Sequence, residues 1–303
     1  MEEGYIELDD PLEKHLTSWV LPETEFSEEE VTIRQILSHS SGITGGSDYE
    51  LPGVVRPPLE EVLAGEHGLH KAKLVREPGA SFEYSNQGFI LLEMLVAEVT
   101  DRNYADYMEE LIFNDLGMYD ATYAHDEGVE DRLATSYYID GEAVPEHVYP
   151  FKGPGGLNST AKDLAKFFSV AVNEPTGEEI DDEKGGGILK PESIEELYTP
   201  VIEPEDFYAL GSDGVGLGYF IEYLETGEKA VYLGGEGAGS LGMAYLVPEE
   251  GAGIIVLTNS KGSWPFLYEV LGEWAHIIEL GRPKMSKMYA NVQTGLVTRL
   301  LQQ

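Results

Sequence analysis

The sequence predicts an α+β fold: a helical lobe, then an antiparallel sheet, then a closing helix. Three observations predict it. Between residues 30 and 170 apolar residues recur at helical spacing. In the last third the pattern changes to alternating or continuous apolar runs between Gly-rich turns, which is strand spacing. "LYEVLGEWAHIIEL" then returns to the helical period. Helices followed by a run of strands segregate into two packed layers rather than alternating through a parallel sheet.

The elements follow in order. "DPLEKHL" is a turn leading into a short helix. "VTIRQILSHSSGI" places Val31, Ile33, Ile36 and Leu37 on one face and stops at Ser-Gly. Residues 42–80 are rich in Gly and Pro, with a short helix at "LEEVLAG". "QGFILLEMLVAEVTDRNYADYMEELIFNDLGM" is two helices broken near Asp101-Arg102-Asn103. The first buries Ile90, Leu91, Met94, Leu95 and Ala97 to Val99; the second buries Tyr104, Tyr107, Met108, Leu111 and Ile112 and stops at Gly117. "GPGGLNSTAKDLAKFFSVAV" is a Gly-rich turn and a capped helix. "GLGYFIEYLE", "KAVYLGG" and "GMAYLVPEEGAGIIVLTN" are strands. "EPTGEEIDDEKGGG", residues 174–187, is expected to be a mobile surface insertion.

Composition narrows the function. The chain has 303 residues, 42% of them hydrophobic, enough for one large domain or two intimately packed ones with an ample core. It has no cysteine, which excludes disulfides, thiol catalysis and Cys-ligated zinc. Asp and Glu number 56 against 19 Lys and Arg, a formal charge of -37. Such a field repels nucleic acid and anionic membranes, so neither is expected as a partner. No apolar run approaches the roughly 18 residues of a membrane span. The start, "MEEGYIELDD", has neither a basic nor an apolar leader region, and a cytoplasmic protein is expected. The acids are spread along the chain. At molar salt the Debye length falls to about 3 Å, which screens their repulsion, so a halophilic protein is expected.

Chemistry concentrates at Tyr84-Ser85-Asn86, just ahead of a strongly periodic helix. A tyrosine and an asparagine one residue apart on a helix-opening loop can aim into one cleft. A structural alternative is that they shape the loop and cap the helix, since asparagine is a good cap residue.

The blocks "MEEGYIELDDPLEKHL", "VTIRQILSHSSGI", "PGASFEYSNQGFILLEMLVAEVTDRNYADYMEELIFNDLGM", "GPGGLNSTAKDLAKF", "GVGLGYFIEY" and "EGAGSLGMAYLVPEEGAGIIVLTN", in that order, resemble the serine β-lactamase-like superfamily, closest to its class C β-lactamase, D-aminopeptidase and esterase branch. The resemblance implies a β-lactamase/transpeptidase-like fold with the active site in a groove between the lobes. It implies one domain over residues 1–275, helical lobe mainly 30–170 and sheet lobe mainly 205–280, with residues 276–303 a C-terminal helix or tail. It implies hydrolysis of an ester, amide or β-lactam substrate through an acyl-serine, without a cofactor, from three motifs: S-x-x-K, Y-x-N, and a K-T-G or H-x-G strand. Tyr84 stands as the catalytic tyrosine, which shares with the lysine the task of taking the serine proton. Asn86 stands as the residue that holds the substrate amide or orients the lysine. A phenol has an unperturbed pKa near 10, so it needs a neighbouring cation to act near neutrality.

The other two motifs depart from the family pattern. In "YLGGEGAGSLG" the position of His or Lys-Thr falls to Gly235 or Gly237, depending on register. Neither supplies a cation, yet Gly237 and Gly239 permit close backbone approach and Ser240 offers a hydroxyl for substrate binding. The S-x-x-K helix should precede the "MEEGYIELDDPL" block, where Met1 already stands. The chain is therefore expected to lack its nucleophile segment, to be inactive by itself, and to show an open sheet edge and an apolar groove, covered by "MYANVQTGLVTRLLQQ" or by further copies in a homo-oligomer. A non-catalytic pseudoenzyme or binding module is the alternative. Ser159-Thr160-Ala161-Lys162 matches S-x-x-K literally but reads as a helix cap through Thr160 and Asp163. "AGSLG" precedes a strand rather than the helix a nucleophile elbow needs. His39 beside Ser40 and Ser41 reads as structural packing. His67 and His70 in "EHGLH" fit no zinc pattern, and no metal is expected.

Overall fold

The computed structural model describes residues 1–45, 51–52, 56–66, 69–124, 127–145, 147–172, 188–203 and 211–287. The expected insertion at 174–187, His67 and the segment from Met288 onward lie outside them.

A short 3-10 turn, Leu12–Lys14, buries Leu12. Helix α1 (Ile33–Leu37) starts at a full capping box: the Thr32 side chain accepts from the Gln35 N–H, and the Gln35 side chain accepts from the Thr32 N–H. Val31, Ile33 and Ile36 are buried as the spacing predicts, while Leu37 is only half-buried. Strand β1 (Leu51–Pro52) and helix α2 (Leu59–Leu63) follow. Helix α3 (Asn86–Thr100) buries Ile90, Leu91, Met94 and Leu95 and ends at Asp101 in the left-handed region. Ala97 and Val99 are half-buried, short of the expectation.

Helix α4 (Tyr104–Met108) runs directly into a π-helical turn, Glu109–Phe113. Of this segment Phe113 is buried; Tyr104, Tyr107, Met108, Leu111 and Ile112 are half-buried. The wider turn rotates the apolar set, which is why the helical period misplaced its face. Helix α5 (Glu127–Glu130), strand β2 (His147–Val148, antiparallel to β1), helix α6 (Ala161–Ser169) and helix α7 (Pro191–Leu197) complete the helical part. Its main core joins Leu12, Ile33, Ile36, Leu63, Ile90, Leu91 and Phe151. Each fully buried aliphatic side chain there contributes roughly 1.5–3 kcal/mol.

The sheet is five-stranded and antiparallel: β3 (Gly214–Val215), β4 (Phe220–Tyr223), β5 (Lys229–Glu236), β6 (Leu241–Val247) and β7 (Ala252–Thr258), in that spatial order. Alternation sorts its side chains onto two faces. Val231, Ala244 and Leu246 pack with Phe168 and Ile194 from α6 and α7. Tyr232, Met243 and Tyr245 pack with Leu267 and Leu271 from α8 (Trp264–Ile277). The sheet therefore lies between helices.

Among the described residues strand β7 lies at one edge of the sheet, with β3 at the other. Ile254, Ile255 and Val256 are half-buried and Leu257 is 44% exposed, on a strand whose sequence would suit a sheet interior. Just past its end, Tyr137 N–H donates to Asn259 C=O (2.9 Å) and Tyr137 C=O accepts from Lys261 N–H (3.0 Å). The N-terminal residues pack elsewhere. Asp9 pairs with Arg34 on α1 (2.7 Å), and Glu2 accepts from Lys190 N–H at the start of α7 (2.9 Å).

Candidate functional site

The Tyr84-Ser85-Asn86 turn is held from beneath by His39. The imidazole lies 4.4 Å from the Tyr84 ring at 31° and 4.9 Å from the Phe89 ring at 28°, with Phe82 edge-on at 5.9 Å. Its Nδ1 accepts the Ser85 backbone N–H (3.1 Å), so the ring proton belongs on Nε2. The His39 carbonyl accepts the Glu83 N–H and the Ser40 carbonyl accepts the Gly79 N–H, both at 2.7 Å. The Ser85 hydroxyl accepts from Gly88 N–H (3.1 Å) and donates to the Thr44 carbonyl (2.7 Å). Segment 79–85 is thus laced to segment 39–44 through both backbone and side chains.

Two sequence expectations resolve here. The cap of α3 is Ser85, not Asn86, so capping does not explain the asparagine. His39 is 8% exposed, and burial depresses its pKa to about 3. It is neutral near pH 7, and its Nδ1 lone pair is already occupied by Ser85 N–H. It is a structural ring, not a base for Ser40 or Ser41.

Tyr84 is half-buried and packs with Phe82, Val215, Ile202 and Phe220. Phe82 meets Phe220 on β4 edge-on at 6.1 Å, and Phe220 stacks on Tyr232 of β5 at 5.5 Å. An aromatic series thereby ties the motif turn to the sheet.

The third-motif region is a tight hairpin between β5 and β6. Glu236 pairs with Leu241, and Gly237 N–H donates to Ser240 C=O (2.9 Å). Gly239 is buried; its carbonyl accepts from Tyr137 N–H (3.3 Å), and a Cβ there would strike Ser136, Tyr137 and Val144. Its close approach is to the chain's own 136–144 segment. Ser240 is exposed. Glu236 is engaged from the α8 side, accepting from Trp264 Nε1 (3.1 Å) and lying 3.4 Å from Lys261 Nζ. Sequence reasoning missed Tyr149, whose hydroxyl lies against Gly237 where a Cβ would sit. No local pattern marks it, because the contact is made across the fold.

The literal S-x-x-K at Ser159 to Lys162 is a cap. Thr160 Oγ1 accepts from Asp163 N–H (3.2 Å), Lys162 is exposed, and the Asp163 carboxylate turns to Asp120 N–H (2.7 Å). "AGSLG" leads into β6, as its spacing predicts. Among the described residues no group of three or more His, Asp or Glu could hold a metal, and no helix is long and apolar enough to cross a membrane.

Comparison with known proteins supplies the family. The family model described as Beta-lactamase matches residues 1–270. Protein flp of Staphylococcus aureus is 24% identical over 275 residues, covering 89% of this chain and 51% of its own length. A human beta-lactamase-like 1 protein is 25% identical over 276 residues, covering 84% and 49%. The chain thus spans about half the length of these curated relatives. An octameric penicillin-binding protein homologue from Pyrococcus abyssi has the same fold at TM-score 0.68 and 27% identity, over 93% of this chain and 62% of that one. A D-amino acid amidase from Ochrobactrum anthropi, solved with D-phenylalanine, is alike in fold at TM-score 0.66 and 23% identity, over 86% and 79%. With the expected two-lobed α+β architecture and the motif blocks in their expected order, the chain belongs to the beta-lactamase family.

Proposed function

We propose that the groove carrying Tyr84 and Asn86 serves a serine hydrolase that opens an ester, amide or β-lactam bond through an acyl-serine. The observation that carries this reading is the laced turn at residues 79–85, which fixes a phenol and a carboxamide one residue apart at the head of α3. In this scheme the serine hydroxyl attacks the substrate carbonyl, its proton passes to the Tyr84–lysine pair, and the leaving group departs with that proton. Water then hydrolyses the acyl-serine by the reverse proton path. Asn86 anchors the substrate amide or the lysine. Gly237, Gly239 and Ser240 form the opposing wall, with the Ser240 hydroxyl as its exposed polar group.

The reacting serine and lysine have no counterpart at their expected place in residues 1–303, so the chain alone is proposed not to turn over. The test is hydrolysis of nitrocefin and p-nitrophenyl esters together with fluorophosphonate labelling. The 303-residue chain should show neither. A version extended by an in-frame upstream segment bearing S-x-x-K should show both, and Tyr84→Phe should lower its kcat by on the order of 10²-fold or more. Stoichiometric labelling of the 303-residue chain would overturn the scheme.

A second reading has its own observation. The third-motif hairpin carries glycine where the family carries a cation, and the nearby Lys261 is held by Glu236. That favours a non-catalytic module that keeps the groove. An extended chain that binds a β-lactam without turnover would select this reading.

Two features outside the groove complete the proposal. Association of copies would cover the β7 edge, which light scattering would detect as a multiple of 33.4 kDa. The charge of -37 is proposed to suit molar salt, and an unchanged melting temperature between low and molar KCl would refute that.

A further inference from the structure

A cavity of about 490 Å³ opens in the helical lobe, and none of Tyr84, Asn86, Gly237 or Ser240 lines it. Its walls carry both signs of charge. Arg56 and Lys152 come from the segments before α2 and after β2. Asp106 and Glu109 come from α4 and the π-helical turn, with Asn103 and Tyr123 between. π-helical turns are rare and concentrate at functional sites.

Among the described residues the two cations differ from four of the other arginines. Arg34, Arg76, Arg102 and Arg132 all pair with carboxylates. Among the described residues Arg56 forms no ion pair. It spends its Nε on the Tyr149 carbonyl (2.9 Å) and one Nη on the Tyr123 carbonyl (3.2 Å). Lys152 Nζ meets Asn103 Oδ1 at 3.4 Å and no carboxylate. The nearest buried acid, Glu93, already accepts the Lys152 and Gly153 backbone N–H groups at 2.7 and 2.8 Å. Among the described residues neither cation forms an ion pair, although both lie within the electrostatic reach of the buried Glu93 carboxylate.

We infer that this cavity binds a small amphoteric molecule, its carboxylate held by Arg56 and Lys152 and its amine by Asp106 and Glu109. The mixed walls favour this class over a simple ion. A bare anion must enter the field of a -37 protein, and a bare cation meets Arg56 and Lys152. A net-neutral ligand meets neither penalty and satisfies both walls. The volume falls within the roughly 300–1,000 Å³ of small-molecule sites and accommodates an amino acid or dipeptide. The site is separate from the proposed hydrolytic groove and stands or falls independently of it.

The test is titration of the 303-residue chain, followed by NMR, with 4-aminobutyrate, dialanine, butyrate and butylammonium at the lowest salt that keeps it folded. The amphoteric probes should bind at least roughly tenfold more tightly than butyrate or butylammonium, because each single ion satisfies one wall only. Lys152→Met and Glu109→Gln should each weaken them by a similar factor while leaving the melting temperature unchanged. Lys152 is the better probe of the cationic wall, since Arg56 also holds two backbone carbonyls and Arg56→Met would unsettle the fold. Equal affinity for butyrate and 4-aminobutyrate would make this a plain anion site and overturn the assignment. So would binding unaffected by Lys152→Met, or no binding of any probe at about 10 mM.

Discussion

Gly42 and Gly237 each stand beside one of the two motif regions, and their surroundings differ in kind. Gly42 has φ +74, and a Cβ there would run into the backbone carbonyl of Arg76. Gly237 has no positive φ, and a Cβ there would meet the ends of two side chains, the Tyr149 phenol and the Ser240 hydroxyl. Beneath the Tyr84 turn, geometry is enforced by backbone and by a buried ring. At Gly237 in the β5–β6 hairpin it is enforced by side-chain ends that can swing away, whereas Gly239 two residues on is hemmed in by the Tyr137 backbone. Gly42 is held to a fixed arrangement, and the hairpin can accommodate change at Gly237 but not at Gly239. The proposed chemistry draws the same contrast, with a Y-x-N pattern at Tyr84-Ser85-Asn86 and glycines rather than a cation in the hairpin.

The largest expected effect is at His39. His39→Ala removes a ring stacked on two others and leaves the Ser85 N–H without its acceptor. A buried aromatic truncation costs about 3–5 kcal/mol, and the orphaned donor acts in the same direction. Urea unfolding should show that loss. A loss below about 1 kcal/mol would mean the ring does not anchor the turn.

Gly42→Ala comes next. A left-handed conformation costs a non-glycine residue about 1–2 kcal/mol, and displacing the Arg76 backbone adds about 1–3 kcal/mol. Thermal melting of this variant should fall clearly below the parent. A neutral result would show that the 39–44 segment is as pliable as the hairpin.

Acid should sharpen the contrast. The His39 pKa is lowered from its ordinary 6.5 to about 3. Its contribution to stability is fully present above pH 6.5 and is lost as pH falls toward 3, because the unfolded chain takes up the proton first. The slope is about 1.4 kcal/mol per pH unit for one proton. Glu93 and Glu222 act with the opposite sign, since burial raises both. Their contribution is present at low pH and is lost as pH rises through their folded pKa. Unfolding of the parent and of His39→Asn, compared between pH 7 and pH 4, isolates the histidine. Parallel curves would show that His39 is not held neutral.

These outcomes bear on what could be read directly from the residues. Periodicity located α1, α3, α6, α8 and strands β4 to β7, because apolar spacing reports burial and burial drives these elements. The Y-x-N motif was legible as three adjacent letters. Which of Ser85 and Asn86 caps α3 was not, because either side chain can accept an N–H and the choice depends on where the backbone leaves the extended region. The π-helical turn was hidden because one residue too many in a turn leaves no compositional mark. That β7 is an edge strand was not legible in its residues, since spacing says nothing about which strand stands beside it. Tyr149 was invisible for the same reason: its meeting with Gly237 is a property of the assembled lobes.

That meeting gives the smallest effect and the sharpest discrimination. Gly237→Ala should destabilise the chain by under about 1 kcal/mol, because only the ends of the Tyr149 and Ser240 side chains must move. Tyr149→Phe, combined with Gly237→Ala, should recover most of that loss by removing the hydroxyl. The double-mutant cycle then gives a coupling of order 0.5–1 kcal/mol, as expected for residues in direct contact. Two departures are informative. A loss of several kcal/mol without rescue would mean that the backbone at Gly237 is as constrained as at Gly42, and the two regions would no longer differ. Additive single effects would mean that Tyr149 does not press on the hairpin in solution, leaving the Gly237–Ser240 wall freer to admit a substrate than the packed arrangement allows.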